Sequence, residues 1–223
     1  MARFQEERQA LDIDACGFIK DRLPVAPVPG LPDIRLHLAV PQSGVWTLAR
    51  DGVPPYWAWF WPGGLVLARH IMANPDIVAG RTVLDLGTGS GLLAIAAALS
   101  GADRIVACDT DANAIAAVAL NAALNSVTVQ TQHADLLDGP VPEAEIVLVG
   151  DLFYESTLAG RVVAFLDRCL AAHCRIYVGD IGREHLPRDR MQALGCYPLV
   201  DFGEPATAEP RPAQVWRYIG ART

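Results

Sequence analysis

Val83-Leu84-Asp85-Leu86-Gly87-Thr88-Gly89-Ser90-Gly91 reads as an apolar strand that runs into three alternate glycines and opens onto an apolar stretch from Leu92 to Leu99. Glycine lets the backbone turn sharply and approach a ligand closely, while a helix N-terminus presents free N–H groups, so the junction is a cradle for a nucleotide-like molecule. A dinucleotide fingerprint of the G-x-G-x-x-G type would place a small residue after Ser90-Gly91, whereas Leu92 and Leu93 follow, which disfavours NAD.

Working outward, strands and helices alternate from Arg81 on, the pattern of a mostly parallel sheet covered on both faces. The pattern predicts strands at 82–86, 104–109, 127–131, 145–150 and 174–180, and helices near 91–100, 112–124, 156–171 and 187–194. Segments 197–202 and 213–219 read as an antiparallel hairpin, with 204–212 the most mobile loop on composition. Upstream, residues 3–22 place apolar residues at helical spacing until Pro24. Four prolines from Pro24 to Pro32 then hold an extended connector, and 34–38 alternates as a short strand. The aromatic run 53–61, VPPYWAWFW, precedes a helix that Pro62 can open. Residues 1–54 are therefore read as a helical extension and Pro-rich connector, and 55–223 as one domain.

Composition narrows the function. The chain has 223 residues, 52% of them hydrophobic and 19% charged, with a mean hydropathy of +0.23, which excludes disordered and fibrous classes. A net charge of -7 and the lack of a basic run argue against a nucleic-acid partner. The five cysteines have no paired spacing, as expected for reduced thiols, and Cys169, His173 and Cys174 lack a second cluster to complete a zinc site, so no metal is expected. The N-terminus lacks a signal-peptide core and the longest apolar run is too short to span a bilayer; a cytoplasmic protein without membrane association is expected, and a monomer is favoured.

Acidic strand ends extend the nucleoside reading. Asp109 ends the second strand about 20 residues past the glycine turn, where a carboxylate can accept hydrogen bonds from a ribose diol. Asp111 reads as the N-cap of the next helix. Asp135 either meets an adenine amino group or is a solvated loop carboxylate, and His133 reads as a surface histidine.

VLDLGTGSG, the strand-end Asp109 and the Asp135 loop resemble the motifs of class I S-adenosylmethionine-dependent methyltransferases, over residues 55 to 219. The resemblance implies an α/β, Rossmann-like sheet of seven strands in the order 3-2-1-4-5-7-6 with the last strand antiparallel. It also implies S-adenosyl-L-methionine as cofactor, bound by Asp85, Gly87, Thr88, Gly89, Gly91, Asp109 and Asp135, and S-adenosyl-L-homocysteine as product. Gly150-Asp151-Leu152-Phe153-Tyr154-Glu155 is similar to the acidic-x-x-aromatic motif of the lysine methyltransferases grouped with the electron transfer flavoprotein β-subunit enzyme; Pro55 to Gly64 and Val178 to Arg183 also look like that group. The resemblance implies Asp151 and Tyr154 as catalytic residues, Trp57 and Trp61 on the cofactor, and Trp59, Phe60, Phe153 and Asp180 on the substrate side. A surface ion pair explains Asp180 and Arg183 equally well, and packing under a flap explains any one Trp equally well. The implied reaction is methylation of a protein lysine, with the flavoprotein β subunit as partner. Bacterial members of the group are also labelled nicotinamide N-methyltransferases, so a small amine is the alternative acceptor, and a non-catalytic nucleoside-binding module the remaining one.

A sulfonium methyl is already electrophilic, so such a protein need only desolvate a neutral amine and hold it in line. Asp151 can orient the amine, Tyr154 can wall the pocket, and the aromatic run can face a cation through its rings.

Overall fold

The structure, a computed structural model, describes residues 14–49, 52–199 and 209–221. Helix α1 (Ala15–Arg22) is capped by Asp14, whose carboxylate accepts from Cys16 N at 3.1 Å, and it ends just before Pro24. The remainder of the helix expected over 3–22 lies outside the described residues. The Pro-rich connector is in fact a hairpin of β1 (Val25–Val28) and β2 (Leu31–His37). Pro27 is tolerated because a two-stranded ribbon has free edges where no N–H is needed. The other edge of β2 is closed by side chains of helix α4 (Ala112–Leu124): Arg35 N donates to Asn125 Oδ1 at 2.9 Å and His37 N to Asn121 Oδ1 at 2.8 Å. Helix α1 also rests on α4, with Ile19 buried beside Ala114 and Ala117.

The central sheet contains β3 (Thr82–Leu86), β4 (Arg104–Asp109), β5 (Gln130–His133), β6 (Ile146–Gly150), β7 (Arg175–Asp180), β8 (Met191–Leu199) and β9 (Arg211–Tyr218). Its seven strands lie in the order β5-β4-β3-β6-β7-β9-β8; β3 to β7 are parallel to one another and β9 runs antiparallel to both β7 and β8. This is the expected order, with the last strand antiparallel as expected. Alternation along each strand divides the core. Val83, Ile105, Ala107, Ile146 and Leu148 face helices α2 (Pro62–Ala73) and α3 (Leu92–Leu99), whereas Leu84, Leu86, Val147, Val149 and Val178 face α5 (Ser156–Ala171).

Two expected elements are displaced. The third strand is β5 at 130–133 rather than 127–131, because Val127 and Val129 pack against the core as its lead-in while the exposed QTQH segment pairs with β4. The helix expected at 187–194 is a single 3-10 turn, Arg188–Arg190, followed at once by β8, which thus begins before the strand expected at 197–202. Pairing with β9 from Met191↔Tyr218 to Leu199↔Arg211 overrides the helix propensity of Met-Gln-Ala-Leu. Of the loop expected at 204–212, residues 204–208 lie outside the described residues and Arg211 already begins β9. Among the described residues no helix is long and apolar enough to cross a membrane.

Candidate active site

A cleft of about 490 Å³ opens at the carboxyl ends of β3, β4 and β6. This is where the strand order reverses, and open α/β sheets bind ligands at that point. The loop between β3 and α3 takes left-handed backbone at Gly87 (φ 67), Gly89 (φ 54) and Gly91 (φ 84), a path that side chains rarely adopt. Asp85 holds the loop from behind. Its Oδ2 accepts from Thr88 Oγ1 at 2.6 Å and from Ala94 N at 3.0 Å, tying strand end, loop and the first turn of α3 together. Burial pushes this carboxyl up to about 7, against the pull of the Thr88 and Ala94 hydrogen bonds. Asp85, Thr88 and Gly91 do not line the cleft; Gly87 and Gly89 do.

Asp109 stands at the end of β4, its Oδ2 accepting from Gly89 N at 2.9 Å and its Oδ1 from Asp111 N at 3.0 Å. Burial raises its carboxyl above the usual range, against these backbone hydrogen bonds. Asp111 caps α4 by accepting from Asn113 N at 2.8 Å. Asp135 also lines the cleft, but it is anchored: Oδ1 accepts from Leu137 N, and Oδ2 pairs with Arg161 Nη2 at 2.8 Å. The Arg161 hydrogen bond holds the Asp135 carboxyl below the usual range. His133 is exposed, its Nε2 3.0 Å from Thr110 O. Leu136, Leu137 and Leu158 give this end of the cleft an apolar wall.

The aromatic run splits between two sides. A 3-10 turn, Tyr56–Ala58, is followed by extended backbone at Trp59, so successive rings diverge. Trp57 and Trp61 line the cleft; Trp57 is buried, and its indole Nε1 has no acceptor among the described residues. Trp61 Nε1 donates to Tyr56 O at 2.9 Å, and the Tyr56 ring lies 5.5 Å from Trp61 and 5.8 Å from Tyr154, forming one wall. Trp59 instead tilts onto Trp46, 6.4 Å away, and Phe60 packs on the α2–α3 side of the core. Neither lines the cleft.

At the opposite end stands Asp151, the first residue after β6, in left-handed backbone (φ 58) and only 6% exposed. Its N–H donates to Gly179 O at 3.2 Å. Its Oδ2 accepts from Gly64 N at 3.0 Å in the first turn of α2, and its Oδ1 accepts from Arg183 Nε at 3.2 Å and Nη2 at 3.0 Å. The helix end comes this close because Gly63 has no side chain: a Cβ there would lie 2.2 Å from Gly179 O and 2.6 Å from Asp151 Oδ2. Burial pushes the Asp151 carboxyl up to about 6, with Arg183 pulling it down and Asp180 pushing it up. Tyr154 is half-exposed at the mouth. Phe153 is fully buried among Val149, Phe165 and Leu166, where it packs beneath α5; the substrate-side place expected for it is a core position. Asp180 is likewise buried away from the cleft; its Oδ1 accepts from Gly182 N at 2.6 Å and Arg183 N at 2.7 Å, which shapes the turn that presents Arg183. Glu155 caps α5, accepting from Thr157 N and Leu158 N. A smaller depression of about 330 Å³, lined by Tyr154, Ile181, Gly182, Arg183 and Glu184, shares Tyr154 and Arg183 with the cleft.

Asp109, Asp135, Trp57, Trp61, Asp151 and Tyr154 therefore meet around one cavity, joined by Tyr56 and Arg161, which sequence reasoning did not single out. Tyr56 lies inside the aromatic run and was accessible to inspection; Arg161, remote on α5, carries no local signal. Among the described residues no group of three or more His, Cys, Asp or Glu side chains is arranged to hold a metal, and the five cysteines are free thiols.

The family model for ribosomal protein L11 methyltransferase (PrmA) matches residues 72–157. The electron transfer flavoprotein beta subunit lysine methyltransferase of Homo sapiens is 38% identical over 218 residues, covering 93% of this chain and 83% of that one. Its counterpart from Danio rerio is 37% identical over 196 residues, covering 84% and 76%. Among solved structures, the ribosomal protein L11 methylase from Lactobacillus delbrueckii subsp. bulgaricus superposes with a TM-score of 0.52 at 22% identity, over 70% of this chain and 78% of that one, a likeness of fold. With this identity over most of both chains, and with a glycine loop and acidic strand ends around a switch-point cleft, the chain belongs to the electron transfer flavoprotein beta subunit lysine methyltransferase family and is an S-adenosylmethionine-dependent methyltransferase.

Proposed function

We propose that the chain is a protein-lysine N-methyltransferase whose acceptor is a lysine of the electron transfer flavoprotein β subunit. The observation that carries this reading is the similarity, over most of the chain, to relatives named for that activity, combined with a buried Asp151 and a half-exposed Tyr154 that both line the cleft. When bound, S-adenosylmethionine supplies an electrophilic sulfonium methyl that passes to the amine nitrogen while the C–S electron pair stays on sulfur.

The residues present fit that group. The cleft volume lies in the usual range for a ligand of this size. Asp109 accepts hydrogen bonds from the ribose hydroxyls through lone pairs not used by Gly89 and Asp111. Asp135, held by Arg161, meets the adenine amino group, and Leu136, Leu137 and Leu158 pack on the base. Trp57 and Trp61 line the cleft and give the cofactor an aromatic wall. Asp85, Thr88 and Gly91 act by fixing the loop.

At the other end, Asp151 accepts a hydrogen bond from the incoming amine and turns its lone pair toward the methyl. Tyr154 and Tyr56 exclude water at the mouth, and this desolvation favours the neutral amine over the ammonium. The extra proton of the product ammonium is lost to solvent. Glu184, exposed at the rim of the smaller depression, draws a lysine toward it. The free thiols of all five cysteines support our placing the enzyme in the cytoplasm.

Asp151→Ala tests the assignment: it should bind S-adenosylhomocysteine normally in calorimetry and lose transfer to the flavoprotein β subunit. Transfer at the normal rate would remove Asp151 from the mechanism, and transfer by the unaltered enzyme to nicotinamide but not to protein would replace the lysine acceptor with a small amine.

A further inference from the structure

The Asp151 carboxylate is held on both oxygens by this chain itself. Helix α2 contributes the Gly64 N–H to Oδ2, and Arg183 places two N–H groups on Oδ1. Arg183 is not a loose surface cation. Its backbone N–H is fixed by the buried Asp180, its neighbour Gly182 takes left-handed backbone (φ 89), and Arg188 Nη2 ties the Gly182 carbonyl at 3.0 Å. The Arg183 side chain is 24% exposed and that of Asp151 6%, so the pair is largely shielded from water, and removing one partner strands the other. Arg183 also stands with Tyr154 in the wall shared by the cleft and the smaller depression.

We propose that Arg183 is a positioning residue for methyl transfer, keeping the Asp151 carboxylate ionised and oriented so that it accepts, rather than donates, at the acceptor amine. This rests on the reading of Asp151 as the group that orients the amine. Arg183 acts through Asp151, the carboxylate on which both of its N–H groups rest. Among the described residues the charged groups bearing on Asp151 are Asp180, the last residue of β7, and Arg183 in the turn that follows, Arg183 lowering and Asp180 raising its proton affinity; α2 adds the N–H of Gly64, and burial opposes ionisation throughout. Without the guanidinium, burial and the charge of the Asp180 carboxyl both oppose ionisation of Asp151, and its proton affinity rises. A protonated oxygen donates a hydrogen bond and competes for the amine lone pair that the reaction needs.

The test is kcat/KM for methyl transfer to the flavoprotein β subunit between pH 6 and pH 9 for the unaltered enzyme, Arg183→Gln and Arg183→Lys, with Arg183→Gln repeated on Asp151→Asn. S-adenosylhomocysteine affinity of each variant reports an intact cofactor site. The deficit of Arg183→Gln should be smallest at pH 9 and grow by about tenfold toward pH 6 for each unit by which the carboxyl rises. Arg183→Lys should keep the normal pH profile at a reduced kcat. On the Asp151→Asn background, Arg183→Gln should add no pH-dependent loss. A deficit constant across pH, or one that persists undiminished with Asp151→Asn, overturns the proposal and leaves Arg183 a wall. Normal transfer by Asp151→Asn alone overturns the reading of Asp151 itself, and the inference with it.

Discussion

Adding one methyl at Gly63 should damage fold and site together. The new Cβ would lie 2.2 Å from Gly179 O, and ordinary contact begins at 3.4 Å, so the first turn of α2 must withdraw by the difference, 1.2 Å. Gly64 N then leaves hydrogen-bond range of Asp151 Oδ2, from its present 3.0 Å. Overpacking of this kind costs about 1–3 kcal/mol, and loss of a hydrogen bond to a buried carboxylate about 1.5–3 kcal/mol more. For a domain of this length each kcal/mol moves the melting temperature by about 2–4 °C, so Gly63→Ala should melt about 10 °C lower and lose most methyl transfer. Gly160→Ala is the matched control, since the same methyl on the exposed face of α5 meets nothing within 4 Å. It should instead raise the melting temperature by about 2–4 °C through helix propensity. Calorimetric or circular-dichroism melts of both variants at one pH, with transfer assays alongside, decide the matter. A Gly63→Ala protein that melts within about 2 °C of the parent and transfers normally would refute the close approach of α2 to Asp151.

Asp109→Ala removes the acceptor of Gly89 N and the proposed ribose contact, and should weaken S-adenosylhomocysteine binding by about 10- to 100-fold; an unchanged Kd by calorimetry would place the ribose elsewhere. Tyr154→Phe keeps the ring against Tyr56 and should retain transfer within about threefold, whereas Tyr154→Ala should lose at least about tenfold; equal effects in the transfer assay would make the hydroxyl, not the ring, the active part. The Asp85 carboxyl is raised in the folded state to about 7 from 3.8, so the stability supplied by its bound proton is full below about pH 4 and is lost as pH rises toward about 7. Asp85→Asn should flatten that part of the pH dependence in denaturant titrations, leaving the contributions of Asp109 and Asp151; an unaltered slope would mean that Asp85 titrates normally.

What the sequence made legible was local. The β3–glycine–α3 junction follows from residues adjacent in the chain, and α4 and α5 begin where Asp111 and Glu155 cap them, matching the ranges 112–124 and 156–171. The stretch after β7 was misread because Met191 to Leu194 favour a helix on their own, and only β9, distant in sequence, turns them into a strand. The same distinction divides the candidate site. Asp109, Asp135 and Asp151 sit at strand or loop ends that topology sends to one side of the sheet, so their meeting was foreseeable. Which rings of the aromatic run face the cleft depends on the 3-10 turn at Tyr56–Ala58, and the burial of Phe153 on the packing of α5. Neither is encoded within a few residues. The Arg161–Asp135 pair, between α5 and the loop after β5, is of the same kind.

The most direct test of the proposed acceptor is transfer of a labelled methyl from S-adenosylmethionine to purified electron transfer flavoprotein β subunit and, in parallel, to small amines including nicotinamide, with the labelled protein digested and mapped. Label should appear on a lysine of the β subunit and be abolished by Asp151→Ala. Label confined to the small-molecule fraction would contradict it.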